Sequence, residues 1–410
     1  MEEERKRILW IGDFVVPTGF ATVNHNIVDR LKDIYDIWVL GVNYWGNPNI
    51  QNGKQVVDEN VVVFPAFTPG GDVHGYAKLP VMLSTYAFDA IFILNDIWVV
   101  ERYLKIIKET IAQLERDMPK IVVYYPVDGG GYDTRWFENF DIVSKAVVYT
   151  EFGFEVTNEV MPELDLEIIP HGASDTRSIF RVDKNKLELR KMLFPESPDS
   201  WDGFWVLNAN RNQNRKRLDT SLKAFALFAK DKEDVFYYHH AGLKDAGWDF
   251  IGLAKRLEQE VGTSLISRII LTNKSAGKQT VSIEHLNLIY NICDVGINTG
   301  LGEGWGLTQT EHASIGAPQV VGDHSALGEI FKDIGVLLPV VTVLRDQEWN
   351  TKRYVVDAQD GADALELLYQ DVDYYNELSR KSAEKFRAPY YQWDNIAKTW
   401  EKIFERVLSE

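Results

Sequence analysis

The chain has 410 residues, of which 45% are hydrophobic and 26% are charged, a composition typical of a globular protein with enough chain for two domains. The formal net charge is −17, so the protein repels polyanions, and binding to bulk nucleic acid or to an anionic membrane surface is disfavoured. The apolar runs are shorter than a membrane span, and the single cysteine, Cys293, excludes an internal disulfide. Together with an amino terminus that lacks a signal-peptide pattern, these features predict a cytoplasmic protein without a membrane span and leave its oligomeric state open.

Residues 8–170 repeat one pattern, in which a short β-branched run is followed by a polar or glycine-containing turn and then by an amphipathic stretch. Strands that alternate with helices predict a parallel sheet with helices on both faces. The predicted strands are 8–12, 37–42, 61–64, 90–94, 121–125, 146–150 and 167–169, and the predicted helices between them include 21–32, 99–115 and 151–160.

A second α/β series follows the charged, proline-containing segment 183–203, which we interpret as a connection between two domains. The final stretch, 357–408, is helical in pattern and is interrupted at Pro389. The predicted strands of this series are 204–208, 235–239, 269–271, 295–298, 319–322 and 336–338, and the predicted helices include 219–230, 250–261, 282–293 and 308–315.

We therefore predict an α/β protein of two doubly wound domains, residues 1–182 and 183–392, followed by a final helix at 393–410. Ligands of open α/β sheets bind beyond the carboxyl ends of the strands. Two such domains facing each other would form a cleft lined by those loops, so residues just after the strands are the candidates for a functional site.

The strongest local signal is the glycine-rich stretch 300–307, between a predicted strand and a predicted helix. Its four glycines leave backbone N–H groups open at a helix N-terminus, which favours a phosphate or a sugar hydroxyl as ligand. Glu303 lies inside this stretch and Glu311 follows eight residues later, just over two helical turns, on the helix face that points back to the loop. Two such carboxylates can accept hydrogen bonds from several hydroxyls of one sugar nucleotide, and a flexible glycine turn is the alternative.

A nicotinamide or flavin cofactor is a further alternative, because Asp323 lies where a ribose-binding acid would be expected. The GxGxxG spacing fails, however, since its third glycine position is Trp305 when counted from Gly300 and Leu307 when counted from Gly302. We therefore expect no cofactor and a nucleotide-diphosphate sugar as substrate.

The second signal is the stretch 208–217, which reads Asn-Ala-Asn-Arg-Asn-Gln-Asn-Arg-Lys-Arg and follows the first strand of the second series. Arg211 and the basic triplet 215–217 concentrate positive charge at the carboxyl end of a strand in an otherwise acidic chain. This concentration favours an anion site, and a solvated basic turn before the next helix is the alternative.

The combination of these motifs resembles the retaining glycosyltransferases of family 4. These have the GT-B fold of two facing Rossmann-like domains, with a C-terminal helix that crosses back to the first domain. The spacing of Arg211 and Lys216 is similar to that of the pair that binds the donor diphosphate in the family, although the usual flanking glycines are missing. Glu303 and Glu311 match the E-x7-E motif, which implies that Glu303 contacts the donor sugar and Glu311 the nucleotide ribose.

The resemblance extends to three other positions, of which Gly19 and Asp128 depart from the family pattern. Gly19 resembles the N-terminal glycine loop under the donor phosphate, but one glycine is present where two are common. Asp128 stands near the position where many members carry a sugar-binding histidine, and it could instead cap a turn. His171 could serve in place of that histidine or be structural. The resemblance implies the catalytic residues Arg211, Lys216 and Glu303 and the donor-binding residues Gly19, Asp128, His171, Gly302, Gly304, Trp305, Gly306, Leu307 and Glu311.

The resemblance further implies transfer of a hexose-type sugar, with retention of anomeric configuration, from a UDP- or GDP-sugar to a hydroxyl of a glycan or glycoconjugate. We expect no metal, because Arg211 and Lys216 would balance the charge of the departing diphosphate, and because Asp371-Val372-Asp373 lies in a helical pattern far from any strand end. The Asn-rich variant of the basic stretch looks like that of members encoded by large DNA viruses.

Residues 1–182 carry a charge of −11 and the remainder −6, which argues against DNA or anionic lipid as the acceptor. Neutral glycans or proteins are favoured, and the aromatic residues Tyr44, Trp45, Tyr132, Trp136 and Phe137 lie near predicted loops where they could stack on sugar rings. The alternatives are a non-catalytic nucleotide-sugar or glycan-binding protein of the same fold and a DNA-base glycosyltransferase.

Overall fold

The computed structural model describes residues 5–46, 50–51, 54–55, 61–173, 179–272 and 281–410. The chain forms two compact units. Unit 1 comprises Met1–Val127, Tyr132–His171 and Trp393–Glu410, and unit 2 comprises Asp128–Gly131 and Gly172–Gln392. The chain thus enters unit 2 at Gly172, before the boundary expected at residue 183, and the short segment 128–131 also belongs to unit 2.

Strands and helices alternate along both units. The strands are β1 (Arg7–Asp13), β2 (Asp36–Val42), β3 (Ile50–Gln51), β4 (Lys54–Gln55), β5 (Val62–Pro65), β6 (Ala90–Leu94), β7 (Lys120–Tyr124), β8 (Lys145–Val148), β9 (Leu166–Ile168), β10 (Phe204–Asn208), β11 (Val235–His239), β12 (Ile269–Leu271), β13 (Val295–Asn298), β14 (Gln319–Gly322), β15 (Val336–Leu338), β16 (Val340–Arg345) and β17 (Lys352–Val356). The helices are α1 (Gly19–Leu31), α2 (Lys78–Thr85), α3 (Ile97–Leu114), α4 (Glu151–Val160), α5 (Lys186–Leu193), α6 (Leu218–Phe228), α7 (Phe250–Val261), α8 (Ile283–Ile292), α9 (Leu307–Ser314), α10 (Ser325–Ile330), α11 (Ala358–Gln370), α12 (Val372–Arg387) and α13 (Trp393–Ser409). Every strand predicted from the sequence is present, with ends that differ by at most two residues.

Unit 1 is built on a seven-stranded parallel sheet with the order β5-β2-β1-β6-β7-β8-β9. Residues 8–11 of β1 and 90–94 of β6 are fully buried. Such near-continuous apolar runs are typical of parallel strands that are covered on both faces. The doubly wound arrangement expected from the alternating pattern is therefore confirmed for this unit.

Helix α13 packs into unit 1, as expected for a final helix that returns to the first domain. Trp400 and Phe404 on this helix are fully buried. The ring of Trp400 lies edge-on to Phe92 of β6 at 5.2 Å, and the ring of Phe404 lies 6.1 Å from that of Trp10 in β1. The apolar face of this seventeen-residue amphipathic helix thus covers the central strands of the first sheet.

Unit 2 is built on a six-stranded parallel sheet with the order β12-β11-β10-β13-β14-β15. The segment 183–203, which its prolines and charges led us to interpret as a connection between two domains, contains α5 and packs within unit 2. Arg190 of α5 is buried and donates hydrogen bonds to the carbonyls of Ile292 and Gly203 and to the Asp294 carboxylate. A buried guanidinium needs such acceptors, and they hold the segment against the sheet.

An antiparallel hairpin, β16–β17, follows β15 and was not predicted from the sequence. Residues 341–345 of β16 are all exposed, so neither face of this strand carries the buried apolar side chains that mark a half-buried strand. The partner strand β17 donates backbone hydrogen bonds from Lys352 to the Gly130 carbonyl at 2.8 Å and from Tyr354 to the Leu301 carbonyl at 3.0 Å. In the described part of the chain, no helix is both long and apolar enough to span a membrane.

Phe404→Ala should destabilise unit 1 by about 3–5 kcal/mol, because it opens a cavity among fully buried rings. The change should lower the melting temperature of the protein strongly. Val81 of α2 is 62% exposed, so Val81→Ala is the matched control and should have almost no effect. Equal shifts for the two variants, measured by thermal unfolding, would contradict the packing of α13 described above.

Candidate functional site

Buried asparagines lie at the carboxyl ends of β10 and β13, which are neighbours in the sheet of unit 2. Asn298 ends β13 and is 1% exposed. Its Nδ2 donates to Asn210 Oδ1 at 3.3 Å and to Glu303 Oε1 at 3.1 Å, while its Oδ1 accepts from the Gly300 backbone at 2.8 Å. One side chain therefore fixes both the start of the glycine loop and the carboxylate within it. The sequence offered a weak signal for Asn298, a polar residue at the end of an apolar strand.

Lys216 and Glu303 form a buried ion pair in which Lys216 Nζ donates to Glu303 Oε1. The side chains are only 12% and 8% exposed. Lys216 is placed by the 3₁₀ turn Asn214–Lys216 after β10, and the carbonyl of Arg215 in that turn accepts a 2.7 Å hydrogen bond from Leu301 in the glycine loop. Two stretches that the sequence analysis singled out separately are thus joined at one site.

The charges at this site influence one another strongly. Arg215 Nη1 lies 3.8 Å from Glu303 Oε2. Burial and, next, the like charge of Arg215 lower the pKa of the Lys216 ammonium to about 8, against the opposing effect of Glu303. Burial alone would raise the pKa of the Glu303 carboxyl, but Lys216 and Arg215 outweigh it and hold this pKa below its usual range. Both members of the pair are therefore charged at neutral pH.

Arg211 does not join this pair. Its guanidinium makes a two-pronged ion pair with Asp245, from Nε at 2.7 Å and Nη2 at 3.2 Å. The Arg211 side chain is 46% exposed. Sequence spacing thus predicted the pair Arg211 and Lys216, whereas in the structure Arg215 is the arginine beside Lys216 and Glu303. No spacing rule distinguishes these two arginines, because the turn after β10 decides which one lies beside Glu303.

Glu311 lies within α9, and its position depends on Gly306, the N-cap residue just before the helix. Gly306 has φ +92°, and a Cβ there would lie 2.5 Å from Leu327 Cδ2, so only glycine fits. Glu311 is 8% exposed and accepts a 2.8 Å hydrogen bond from the hydroxyl of Tyr290. Burial raises the pKa of Glu311 to about 7, although the Tyr290 hydrogen bond favours the ionised form.

The remaining residues of the glycine loop are closely packed. A Cβ on Gly302 would lie 1.8 Å from the carbonyl oxygen of Asp128, so the loop and the segment 128–131 lie backbone against backbone. Trp305 is 4% exposed and donates from Nε1 to Thr310 Oγ1 at 3.2 Å. Gly304 is buried as well, and Leu307, the first residue of α9, is half-buried.

Asp128 is brought to this site by an arginine that the sequence analysis missed. Arg353 of β17 is buried and donates from Nη1 to Asp128 Oδ1 at 2.8 Å. Asp128 Oδ2 lies 3.9 Å from Arg215 Nη1. Arg353 follows Asp128 by more than 200 residues in a hairpin that carries no recognisable motif, so no local signal could have identified it.

Two predicted donor-binding residues lie in unit 1. Gly19 is the first residue of α1, where Thr18 caps the helix by accepting from Ala21 N at 3.1 Å. Its role in binding a donor phosphate stays a prediction. His171 is 2% exposed, with Nδ1 at 2.8 Å from the Tyr124 hydroxyl, and burial lowers the pKa of its imidazole to about 3. A neutral histidine in that setting fits the structural alternative of the sequence analysis.

The aromatic residues considered for sugar stacking differ in accessibility. Tyr132, Trp136 and Phe137 are buried, while Tyr44 is half-buried. Trp45 is 60% exposed and stacks on Phe67 with the ring centroids 3.7 Å apart. Of these five, Trp45 therefore keeps a ring surface large enough to stack on a sugar.

Comparison with known proteins gives matches in structure but not in sequence. No protein-family profile matches the chain, and no curated protein matches it. A sucrose-phosphate synthase from Thermosynechococcus elongatus is 15% identical, with a TM-score of 0.72 over 99% of this chain and 100% of that one. Anabaena HepE in complex with UDP and glucose is 14% identical, with a TM-score of 0.68 over 98% and 100% of the two chains.

A third structure, an Escherichia coli trehalose-6-phosphate protein bound with UDP-2-fluoro glucose, is 13% identical, with a TM-score of 0.66 over 99% of both chains. Likenesses at such low identity establish the fold and not the activity. The chain has the GT-B fold, which confirms the fold class expected from the sequence.

Glu311→Gln should change how stability depends on pH. The folded-state pKa of about 7 lies above the usual value of 4.5, so the folded protein holds this proton more tightly than the unfolded chain does. Below pH 4.5 the protonated Glu311 makes its whole contribution to the free energy of unfolding. As the pH rises through 7 this contribution is lost, and the free energy of unfolding falls by at most about 3 kcal/mol.

The wild type should therefore lose stability relative to Glu311→Gln between pH 5 and pH 8, as measured by urea unfolding at several pH values. Glu260 of α7 is exposed, and Glu260→Gln serves as the matched control, because it removes a carboxylate that is not buried. A constant difference for Glu311→Gln would show that this carboxyl is ionised in the folded protein.

Proposed function

We propose that the protein is a retaining glycosyltransferase, which moves a hexose-type sugar from a nucleotide-diphosphate donor to a hydroxyl of a glycan or glycoconjugate. The observation that carries the proposal is the buried Lys216–Glu303 pair beside the glycine loop that leads into α9. One cation and one carboxylate, both desolvated and close to open helix N–H groups, suit a ligand that carries a diphosphate next to a sugar. Two of the similar structures hold UDP with glucose or a fluorinated UDP-glucose, which supports a nucleotide-sugar donor.

In this proposal Lys216 stabilises the leaving diphosphate. When the bond between the anomeric carbon and the phosphate oxygen breaks, its electron pair goes to that oxygen, and a buried ammonium is most effective against charge that develops there. Arg215 adds a second positive charge beside it. Arg211, the family's second cation by resemblance, would have to leave Asp245 before it could contact the diphosphate. These cations balance the leaving group and make metal-independent transfer the simplest mechanism.

Glu303 accepts hydrogen bonds from hydroxyls of the transferred sugar. Its carboxylate is already held by Lys216 and by Asn298, so it needs little reorganisation when the sugar binds. Fixed negative charge near the anomeric carbon also stabilises an oxocarbenium-like transition state. The acceptor hydroxyl then attacks the anomeric carbon on the face that the diphosphate leaves, so the anomeric configuration is retained. The proton of that hydroxyl passes to the departing phosphate oxygen.

Glu311 binds the nucleotide ribose in this proposal. It lies four residues (311 − 307), about one helical turn, after the first residue of α9 and is fixed by Tyr290, so one carboxylate oxygen is committed to Tyr290 while the other can accept from a ribose hydroxyl. The sugar-binding and ribose-binding carboxylates are thus positioned by different partners. The acceptor, the donor base, the cytoplasmic location and the viral origin stay predictions from the sequence.

The first experiment is a thermal-shift screen with UDP, GDP, ADP and dTDP and with their common sugar conjugates. We expect UDP or GDP and the matching sugar nucleotide to raise the melting temperature, because a ligand that binds the folded state stabilises it. Transfer of a radiolabelled sugar to glycan acceptors, with and without EDTA, then tests the activity and its independence of metal. Stabilisation by none of these ligands would contradict the proposed function, and binding without any transfer would favour the non-catalytic alternative.

Three variants test the division of roles at the donor site. Lys216→Ala should lower kcat/KM by about 30- to 1000-fold, which corresponds to the loss of about 2–4 kcal/mol of leaving-group stabilisation. Glu303→Gln should abolish transfer while the affinity for the nucleoside diphosphate stays within a few-fold. Glu311→Ala should instead weaken nucleotide binding.

Arg217, next to Lys216 but paired with Asp219, provides the matched control Arg217→Gln, whose kcat/KM should equal that of wild type. Isothermal titration with the nucleoside diphosphate and steady-state kinetics with the sugar nucleotide separate the two kinds of effect. Equal losses in both measurements for Glu303→Gln and Glu311→Ala would refute the separate roles.

A further inference from the structure

The segment 128–131 is held in unit 2 chiefly by the hairpin β16–β17. Arg353 Nη1 donates to the Asp128 carboxylate at 2.8 Å and approaches the Asp128 carbonyl at 3.4 Å. The backbone of Lys352 donates to the Gly130 carbonyl at 2.8 Å. The close approach of Gly302 to Asp128 completes this contact. Segment and hairpin therefore interlock at the glycine loop.

The Arg353 side chain is 9% exposed and is oriented from its other side by Asp346. Arg353 Nε donates to Asp346 Oδ2 at 3.0 Å. Asp346 is fixed in turn by hydrogen bonds from the Trp349 backbone and the Thr351 hydroxyl within the same hairpin. The guanidinium thus has a defined direction, since one edge is bound to the hairpin turn and the other is aimed at Asp128.

Five charged side chains form an alternating row from the hairpin to the buried ion pair: Arg353, Asp128, Arg215, Glu303 and Lys216. The contacts at the two ends of the row are direct, while the two made by Arg215 span 3.9 and 3.8 Å. Those two distances exceed that of a hydrogen bond. The centre of the row is therefore held less directly than its ends, and the carboxylate oxygens that face Arg215 are not committed to a hydrogen bond with it.

The two carboxylate oxygens of Asp128 differ in how closely a cation holds them. Oδ1 is bound to Arg353, whereas Oδ2 is 3.9 Å from Arg215 and the side chain is 21% exposed. A carboxylate with one oxygen fixed and the other accessible presents a directed acceptor. Glu303 Oε2, the neighbouring acceptor in the row, lies on the other side of Arg215. Two directed acceptors that flank one guanidinium suit adjacent hydroxyls of a sugar ring.

We propose that Arg353 is a positioning residue for the donor sugar, which fixes Asp128 so that its second oxygen accepts a hydrogen bond from a hydroxyl of the transferred hexose. The hairpin β16–β17 is thereby the element that sets which hexose is transferred, although it carries no group that reacts. This inference rests on the proposed function, because it specifies how the sugar of the nucleotide-sugar donor is recognised.

The test uses the full chain and compares Arg353→Gln, Asp128→Asn and the double variant in steady-state transfer and in nucleotide titration. Arg353→Gln should lower kcat/KM for the sugar nucleotide at least tenfold and leave the affinity for the nucleoside diphosphate within threefold. Asp128→Asn should cause a similar loss. The double variant should lose little more than either single variant, because residues that act through one contact are not additive.

Two further variants separate positioning from mere folding. Arg353→Lys keeps the charge and should recover part of the loss in kcat/KM, since an ammonium can still donate to Asp128 but lacks the planar fork by which the guanidinium bonds Asp128 and Asp346 through two separate nitrogens. Arg345 lies in the same hairpin, is exposed and donates to the Asn350 carbonyl. Arg345→Gln is therefore the matched control and should behave as wild type. Melting temperatures identify any variant that fails to fold.

The inference is overturned if folded Arg353→Gln transfers sugar as wild type does, if it weakens binding of the nucleoside diphosphate as much as of the sugar nucleotide, or if the losses of the two single variants multiply in the double variant. A screen of UDP-glucose, UDP-galactose and GDP-mannose with Asp128→Asn should show a changed ratio of kcat/KM values, and an unchanged ratio also counts against it. Failure of wild type to bind any nucleotide refutes the proposed function itself, and this inference with it, so the two failures are distinguishable.

Discussion

The buried ion pair between Lys216 and Glu303 is the interaction on which the rest of the candidate site depends. Removing two charges from water is unfavourable by several kcal/mol for each ion, and their attraction offsets this only if further hydrogen bonds satisfy both groups. Asn298 supplies one such bond to Glu303. The turn after β10, the end of β13 and the glycine loop must therefore meet at one place for either charge to be tolerated inside unit 2. The alternating row of charges continues this pairing of opposite charges from Lys216 and Glu303 to Arg353 in the hairpin β16–β17. A strongly acidic chain therefore has three cations close to its glycine loop.

The same balance gives the two glutamates of one motif different chemical states. Glu303 has cations beside it, which hold its pKa below the usual range in spite of burial. Glu311 has a hydroxyl from Tyr290 instead, and burial raises its pKa to about 7. His171 is likewise buried, and burial lowers the pKa of its imidazole to about 3. Whether a buried group is charged is thus decided by its partner and not by its residue type, which is how one site can hold a permanent carboxylate and a carboxyl that titrates near neutrality.

Close backbone packing complements this electrostatic arrangement. Gly306, the N-cap of α9, has a positive φ beside Leu327, and Gly302 allows the Asp128 carbonyl to approach the loop. Neither position has room for a Cβ, so these two glycines are required for packing. Packing therefore accounts for these two glycines of the stretch 300–307, and the stretch is closely packed around the carboxylate that it carries. The buried Trp305 adds to this packing and leaves little of its ring for a ligand.

The sequence by itself determined the elements of both sheets, because strands of parallel sheets are local apolar runs and their ends are marked by polar or glycine turns. The spacing of Glu303 and Glu311, and the basic stretch that contains Lys216, were likewise readable from the chain. Tertiary structure alone decided that Arg215 faces Glu303 and that Arg353 holds Asp128, because these ion pairs join residues 88 (303 − 215) and 225 (353 − 128) positions apart. It also made 183–203 part of unit 2 through the buried guanidinium in α5. Long-range pairing of charges depends on how strands and turns pack together, and no local pattern of residues encodes that packing.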